Sequence, residues 1–369
     1  MLRELSVQQF RGLRDFTMSG LGRVNLLVGA NNCGKTTVLE ALHMLLRAGD
    51  PMALWSALHR RGEYVQAPRT RSLEEMDVGH VFEGHEIDLG SAFRMTGRND
   101  SEILTLTAQI VDVPLPERLQ LTLPVDPTEP ESQAGPSGAF ALELRWNHDD
   151  PMVIPLTRSG GLIPNRWVPQ RDRRSLDEAR PVELVSTRAL DAQSTVARLE
   201  DVVLTENEDV LLRALRSIEP GIERIAPLGS TLRSREGRGG IAVKLANTKH
   251  RIPLGSMGDG MWRMLGIALS VVRAAGGVLL IDEIDTGLHY SVMEDMWRLV
   301  HDAAKRLDVQ VFAATHSRDC TQSLAAIVET GAVPRPEVTI QRIERGNPRA
   351  IAFTDDEIRI AAEIGAEVR

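Results

Sequence analysis

The chain has 369 residues, of which 43 are basic and 51 acidic, so its formal net charge is −8. At about 150 residues per domain this length predicts two domains, and a hydrophobic content of 42% suffices for an ordinary core. Two cysteines exclude a disulfide framework, and no apolar run approaches the ~18 residues of a membrane helix, so we expect a cytoplasmic protein that does not enter membranes. The acidic total restricts any contact with nucleic acid to a local basic patch.

The N-terminal part predicts strands followed by helices. Residues 2–28 alternate short β-like runs with turns. Residues 35–48 have the spacing of an amphipathic helix, and Gly49 stands where that helix is expected to stop. Residues 51–60 predict a second short helix.

The middle of the chain has a different pattern. Apolar and polar residues alternate at 104–110 and at 140–146, which predicts antiparallel strands with one solvated face. Residues 124–138 are rich in Pro, Ser and Gly and predict a flexible surface loop, and residues 156–181 are irregular and rich in Arg and Pro.

The C-terminal part returns to alternating helices and strands. Helical spacing recurs at 206–218, 260–274 and 290–306, whereas 277–281 and 309–314 are short apolar runs typical of strands buried on both faces. Thr354 and Glu357 form a capping box that predicts a last helix. We therefore divide an α/β core into residues 1–89 and 184–369, separated by a β-rich, loop-rich insertion at 90–183.

Residues 29–36, GANNCGKT, match the phosphate-loop pattern G-x-x-x-x-G-K-S/T between a predicted strand and a predicted helix. Gly29 and Gly34 allow main-chain N–H groups to converge on phosphates. Lys35 supplies a positive charge for the β- and γ-phosphates, and the Thr36 hydroxyl is a ligand for Mg²⁺. The alternative, an ordinary Gly-rich turn before a helix, does not explain the flanking elements and the spacing together.

An apolar strand ending in two acids, VLLIDE at 278–283, predicts the second half of this site. The strand places Asp282 at the carboxyl edge of the sheet, where ligands of open α/β sheets bind, and there it would hold Mg²⁺ with Thr36. Glu283 can orient or deprotonate the attacking water. An acidic strand end with no catalytic role is the alternative.

Two further sequences point to phosphate contacts. LGSMGDG at 254–260 leads into a helix, and a serine with glycines at a helix start forms an anion-binding concavity. Because Lys35 already serves the chain's own phosphates, Ser256 and Gly258 predict contact with a nucleotide carried by another subunit; a loop that merely caps the helix is the alternative. His316 follows a buried strand and predicts a γ-phosphate contact, with a hydrogen-bonded histidine at a strand end as the alternative.

The order of these motifs, followed by DTGLH at 285–289 and THS at 315–317, resembles the ABC-type ATPase head. More narrowly, QQFRGLRDF, LGSMGDGMWRMLGIAL and IDEIDTGLHYS are similar to the AAA-ABC or OLD-type ATPases, relatives of RecF and the SMC heads. The resemblance covers about residues 1–50 and 184–369. The run at 254–260, which corresponds to the signature loop of such heads, departs from the transporter form at Met257 and Asp259, which favours the OLD-type branch.

This resemblance implies an α/β P-loop NTPase of the ABC-ATPase-head type that hydrolyses ATP with Mg²⁺ in a head-to-head dimer. The residues with implied roles are the ATP-binding Gly29, Ala30, Asn31, Asn32, Cys33, Gly34, Lys35, Thr36 and Thr37; the magnesium ligands Thr36 and Asp282; the catalytic Glu283 with the switch His316; and the dimer contacts Ser256, Gly258 and Asp285.

The biological setting is inferred from the same resemblance. OLD-type nucleases carry a C-terminal Toprim domain with a D-x-D metal pair, and this chain contains no D-x-D. We therefore expect the ATP-sensing core of a bacterial anti-phage defence system, a homodimer or higher homo-oligomer that regulates a separately encoded effector such as a nuclease or toxin. The alternatives are a RecF-like DNA repair or maintenance ATPase, which would bind DNA, and an ATP-binding scaffold with little turnover.

Three other features carry weaker interpretations. Gly84 interrupts the segment that holds His80, Glu83, His85 and Glu86, so we do not expect a zinc site there. The arginines between 166 and 180 are interleaved with acids, which favours a solvated or partner-docking loop over a nucleic-acid contact. At Cys33 a small neutral side chain is favoured over a redox switch.

Overall fold

The computed structural model describes residues 1–65, 75–112, 140–157, 159–163, 180–186, 192–228, 240–329 and 337–363. The predicted loop at 124–138 lies outside these residues, as does most of the arginine-rich stretch at 156–181.

Strands account for much of the described chain. In chain order they are β1 (Leu2–Phe10), β2 (Leu13–Ser19), β3 (Val24–Val28), β4 (Met76–Asp77), β5 (Ala92–Asn99), β6 (Ile103–Asp112), β7 (Phe140–Trp146), β8 (Met152–Pro155), β9 (Gly161–Leu162), β10 (Val182–Val185), β11 (Ile222–Pro227), β12 (Ile241–Leu245), β13 (Arg251–Pro253), β14 (Val278–Ile281), β15 (Gln310–Ala314), β16 (Val338–Arg342) and β17 (Ile351–Thr354).

The α-helices of the same residues alternate with the C-terminal strands. They are α1 (Lys35–Leu46), α2 (Pro51–Arg61), α3 (Ala192–Val202), α4 (Glu208–Arg216), α5 (Asp259–Arg273), α6 (Met293–Arg306), α7 (Arg318–Glu329) and α8 (Asp355–Glu363). The five helices predicted from periodicity are α1, α2, α4, α5 and α6, and a short 3₁₀ turn precedes α6. At the start of α8 the main-chain N–H of Thr354 donates to the Glu357 carboxylate at 2.8 Å, which is half of the predicted capping box. None of the helices in the described residues is long and apolar enough to cross a membrane.

One sheet is mainly parallel and has the order β10-β14-β15-β3-β16-β17, in which β17 alone runs antiparallel to its neighbour. Its central strands are buried on both faces, as the apolar runs at 277–281 and 309–314 predict for β14 and β15. Successive residues of these strands therefore belong to two different hydrophobic cores. Leu26 and Ile281 pack in the core beneath α3 to α7, whereas Leu27 and Leu280 pack in the core on the side of α1. The predicted α/β class is confirmed.

A second, antiparallel sheet has the order β2-β1-β5-β6-β7-β8. The strands with period-two alternation are β6 and β7, which pair with each other. β5 pairs with β6 on one side and with β1 on the other, where Val7 lies opposite Met95. The β-rich segment thus continues the sheet that the N-terminal residues begin. The predicted boundary at 183 falls within β10, a strand of the parallel sheet, and the division into 1–89, 90–183 and 184–369 stays a prediction.

The topology brings three strand ends together. β15 lies between β3 and β14, and all three are parallel. The phosphate loop follows β3, Asp282 follows β14 and Thr315 follows β15. The carboxyl edge of this sheet is therefore the place where distant segments of the chain meet.

Candidate functional site

The phosphate loop depends on glycine at its first position. Gly29 has φ 141°, and a Cβ built on it would lie 2.3 Å from the carbonyl oxygen of Ile343 and 2.9 Å from Cys33 Sγ. The Ile343 N–H in turn donates to the Val28 carbonyl at 2.9 Å, so the loop emerges against the continuation of β16. A side chain at position 29 would displace one of these backbones.

Lys35 is the first residue of α1 and turns back over the loop. Its ammonium donates to the carbonyl oxygens of Gly29 and Ala30, at 2.9 Å each, and lies 3.9 Å from Cys33 Sγ. The charge therefore lies at the loop and at the positive end of the helix, where phosphate is favoured.

Thr36 and Asp282 meet as the sequence predicts. The Thr36 hydroxyl lies 3.0 Å from Oδ2 and 3.3 Å from Oδ1 of Asp282, although 246 positions separate the two residues. Burial raises the pKa of the Asp282 carboxyl, and the Thr36 hydrogen bond partly offsets this effect. A hydroxyl and a carboxylate are oxygen ligands of the kind that Mg²⁺ takes beside phosphate, so the pair fits this ion.

Glu283 adopts a left-handed backbone conformation, with φ 46°. Its Oε2 accepts a hydrogen bond from the Thr286 hydroxyl at 3.2 Å, and its Oε1 lies 3.9 Å from His316 Nδ1. Both carboxylate and imidazole are partly exposed to solvent. The structure therefore brings together the two side chains to which the resemblance gives catalytic roles.

Asp285 and the signature residues lie beside this group. Asp285 Oδ1 accepts a hydrogen bond from Thr315 at 2.5 Å, which joins the turn after β14 to the turn after β15. Ser256 lies in a 3₁₀ turn, and Gly258, with φ 93°, is the N-cap of α5. The hydrogen bonds of the site described above do not include Ser256 or Gly258, and their place in a composite site stays a prediction.

Sequence reasoning missed three arginines at this edge. The Arg263 guanidinium is buried beneath the turn after β14, where it bonds to main-chain carbonyls. Arg60 and Arg61 line a pocket of about 620 Å³ whose wall also contains Thr36 and Asp282. Arginine is so frequent here, with only four lysines among 43 basic residues, that single arginines carried little signal.

A buried ion-pair network supports that pocket. Glu40, on the inner face of α1, lies 3.0 Å from Arg11 Nε and 2.8 Å from Arg61 Nε, and Arg11 also binds Glu63 at 2.7 Å. Within the described part of the chain the buried Nη2 of Arg60 has no hydrogen-bond partner. The pocket therefore presents a guanidinium beside the Asp282 carboxylate without a hydrogen bond between the two.

In the described part of the histidine-rich segment, the side chains meet only in pairs. His80 Nδ1 and His85 Nδ1 lie 3.4 Å apart, and His80 Nε2 is 3.6 Å from Asp77. In the residues that the structure describes, no group of three or more His, Cys, Asp or Glu side chains is arranged to hold a metal ion.

The fold and this site define a P-loop ATPase head. Residues 1–106 match the family described as AAA ATPase domain, and residues 164–319 match the family described as AAA domain, putative AbiEii toxin, Type IV TA system. The chain is therefore a P-loop ATPase whose N-terminal and C-terminal parts are each similar to an AAA family, which confirms the predicted P-loop NTPase fold and activity.

Curated relatives agree with this assignment. An ATP/GTP phosphatase of Helicobacter pylori is 22% identical over 348 residues, which are 89% of this chain and 88% of that protein. The DNA replication and repair protein RecF of Pseudomonas entomophila is 54% identical over 44 residues, 12% of each chain.

Solved structures of SMC heads are also similar. The Smc head domain from Pyrococcus furiosus, bound to the C-terminal domain of ScpA, is 12% identical, has a TM-score of 0.49 and is covered over 99% of each chain. The SMC head domain from Thermotoga maritima is 12% identical with a TM-score of 0.45, covering 96% of this chain and 98% of that one.

Proposed function

We propose that the chain is a Mg²⁺-dependent ATPase of the OLD type that forms the ATP-sensing core of a bacterial anti-phage defence system. The observation that carries the hydrolytic part is the convergence of Thr36, Asp282 and Glu283 at one sheet edge. Mg²⁺, when bound, would neutralise charge on the β- and γ-phosphates.

The chain's own residues divide the remaining work. Lys35 and the main chain of residues 29–36 bind the phosphates, while the Thr36 hydroxyl and the Asp282 carboxylate would be ligands of the Mg²⁺ ion. Glu283 orients the attacking water and accepts its proton, and His316 lies close enough to respond to the state of that carboxylate. Arg60 supplies a further charge from the pocket wall.

Ser256, Gly258 and Asp285 are proposed to complete the site across a head-to-head dimer. Gly258, the N-cap of α5, makes no side-chain cap hydrogen bond, and the start of a helix favours an anion. The own-chain phosphates are served by a different helix end, that of α1, so the anion at α5 would come from a second subunit.

The defence role has separate support. The description of the family that matches residues 164–319 includes the words putative AbiEii toxin and Type IV TA system. This description favours an ATPase that works with a second activity. We propose that the effector, a nuclease or toxin, is a separate protein that the ATPase regulates. The RecF relatives favour the second candidate, a DNA repair ATPase.

Two variants test the ATPase assignment. Lys35→Ala is expected to abolish ATP binding, and Glu283→Gln to retain binding, lose turnover and accumulate an ATP-bound dimer in size-exclusion chromatography. Lys305→Ala, at a half-exposed lysine far along the chain, is the matched control and should behave as wild type. Full hydrolysis by Glu283→Gln would refute the role of Glu283, and a monomer under these conditions would refute the composite site.

The candidates for the biological role are separated by partners. Affinity purification of Glu283→Gln from the native host, with and without ATP, should recover the same effector reproducibly if the defence role is correct. Strong stimulation of turnover by DNA, without such an effector, would instead support the RecF-like ATPase. If Glu283→Gln leaves the biological role of the protein unchanged, the result would support an ATP-binding scaffold.

A further inference from the structure

Arg263 lies on the second turn of α5 and is only 5% exposed. Its guanidinium donates to main-chain carbonyls: Nη2 to Glu283 at 2.6 Å and to Asp282 at 3.0 Å, and Nη1 to Ser186 at 3.2 Å. One side chain therefore joins α5 to the ends of β14 and β10.

A buried charge of this kind is not explained by stability. Burial lowers the pKa of the Arg263 guanidinium, with Asp285 the foremost of the nearby carboxylates that oppose the effect. An apolar side chain of similar volume often replaces a buried charge without loss of stability. What arginine adds is a planar fork that reaches several carbonyls at once.

The carbonyls that Arg263 holds belong to a strained turn. Glu283 has φ 46°, a conformation that is unfavourable for a residue with a side chain and persists only where its surroundings enforce it. Arg263 bonds to the carbonyls of Glu283 and of the residue before it, and the N–H of Ile284 donates to Ala314 at 3.0 Å. These contacts hold the main chain from which the carboxylates of Asp282 and Glu283 project.

The same helix begins at the signature loop. Gly258 is the N-cap of α5, and a Cβ on Gly260 would lie only 3.2 Å from the Gly287 carbonyl. A displacement of the signature loop would thus reach the turn after β14 by two routes, the Gly260–Gly287 contact and Arg263.

We infer that Arg263 is a positioning residue that holds Glu283 and Asp282 in their reactive arrangement and links them mechanically to the signature loop of the same chain. The inference rests on the proposed role of Glu283. It makes the catalytic carboxylate sensitive to whatever Ser256 and Gly258 contact, which in the proposed dimer is the nucleotide of the other subunit.

Arg263→Gln and Arg263→Lys test this role against Arg273→Gln, a control on the same helix whose arginine pairs with Glu183 at 3.0 Å. Arg263→Gln is expected to lower kcat about 100-fold, the order of loss expected for a misplaced catalytic group, with KM for ATP changed less than about threefold. Arg263→Lys keeps the charge but reaches fewer carbonyls, so we expect partial recovery. Parallel losses of ATP binding and folded fraction, with normal kcat per folded molecule, would show a merely structural role and overturn the inference.

The double variant Arg263→Gln/Glu283→Gln separates this inference from the proposed function. If Arg263 acts through Glu283, the double variant should turn over no more slowly than Glu283→Gln alone. A normal rate in Arg263→Gln beside an inactive Glu283→Gln refutes the inference and leaves the proposed function intact. Full activity of Glu283→Gln refutes the proposed role of Glu283 as the catalytic base.

Gly260→Ala provides a second variant should Arg263→Gln not fold. It perturbs the same junction from the other side, because its Cβ crowds the Gly287 carbonyl while the buried charge stays in place. We expect a folded protein that binds ATP with a kcat reduced about tenfold or more. An unchanged kcat in this variant would contradict the link between the signature loop and Glu283.

Discussion

Gly29→Ala perturbs the phosphate loop at the point where its backbone lies closest to the rest of the molecule. The added Cβ would stand 2.3 Å from the Ile343 carbonyl oxygen, whereas ordinary contacts begin at 3.4 Å, so the two backbones must separate by about 1 Å. The φ of 141° adds strain for any residue other than glycine.

The expected magnitude follows from these two contributions. Overpacking costs about 1–3 kcal/mol and the backbone strain about 1–3 kcal/mol, which together give about 2–6 kcal/mol. At about 2 °C per kcal/mol for a protein of this size, the melting temperature should fall by about 4–12 °C. Displacement of the loop by about 1 Å should also remove most of the affinity for ATP, because its N–H groups would no longer converge on the phosphates.

Two other glycines supply matched controls for this measurement. Gly84 has φ 85° with open space around it, so Gly84→Ala should show the strain alone, about 1 kcal/mol. Gly12 has neither a positive φ nor a neighbour within 4 Å, so Gly12→Ala should remain within about 0.5 kcal/mol of wild type. Thermal unfolding with and without Mg²⁺–ATP compares all three. If Gly29→Ala has the same melting temperature as Gly12→Ala and is stabilised by ATP to the same extent, the predicted clash at Gly29 is refuted.

Three further variants probe the groups around the metal ligands. Burial raises the pKa of Asp282 in the folded protein, so above the ordinary pKa of an aspartate the folded protein still holds a proton that the unfolded chain has lost. The free energy of unfolding therefore falls as the pH rises from that ordinary pKa through the raised pKa of Asp282. Asp282→Asn should therefore melt above wild type at neutral pH while losing Mg²⁺-dependent turnover, and a lower melting temperature would contradict this sign. Glu40→Gln leaves Arg11 and Arg61 without their shared carboxylate, and because Glu40 and Arg11 are almost fully buried, unfolding by denaturant should show a loss of about 3 kcal/mol; a change below 1 kcal/mol would refute the network. Arg60→Ala should weaken ATP binding about tenfold or more in calorimetry, in keeping with a lost hydrogen bond to a charged group, and unchanged affinity would remove Arg60 from the site.

Much of the fold was predictable because its signals are periodic. The continuous apolar runs at 277–281 and 309–314 correctly predicted strands buried on both faces, and the alternation at 104–110 and 140–146 correctly predicted antiparallel strands. The connection of these strands to β1 through β5 was not predictable, because alternation shows that a strand has a solvated face but not which neighbour it pairs with.

The candidate site likewise has parts that the sequence predicts and parts that it does not. The phosphate loop was recognisable because eight consecutive residues contain its chemistry: glycines for the turn, main-chain N–H groups, one lysine and one hydroxyl. Asp282 and Glu283 were recognisable because a buried strand immediately precedes them. Such local arrangements are determined by the order of residues alone.

Only the tertiary structure decided what Arg263, Arg60 and Glu40 do. Nothing in the residues adjacent to Arg263 indicates that the carbonyls of a strained turn 19 and 20 positions away lie within reach of its guanidinium. The sequence by itself thus determined the nucleotide loop and the acids that face it, because those groups act through neighbours in the chain. The structure decided how the acids are held, because that depends on which helix packs against the end of which strand.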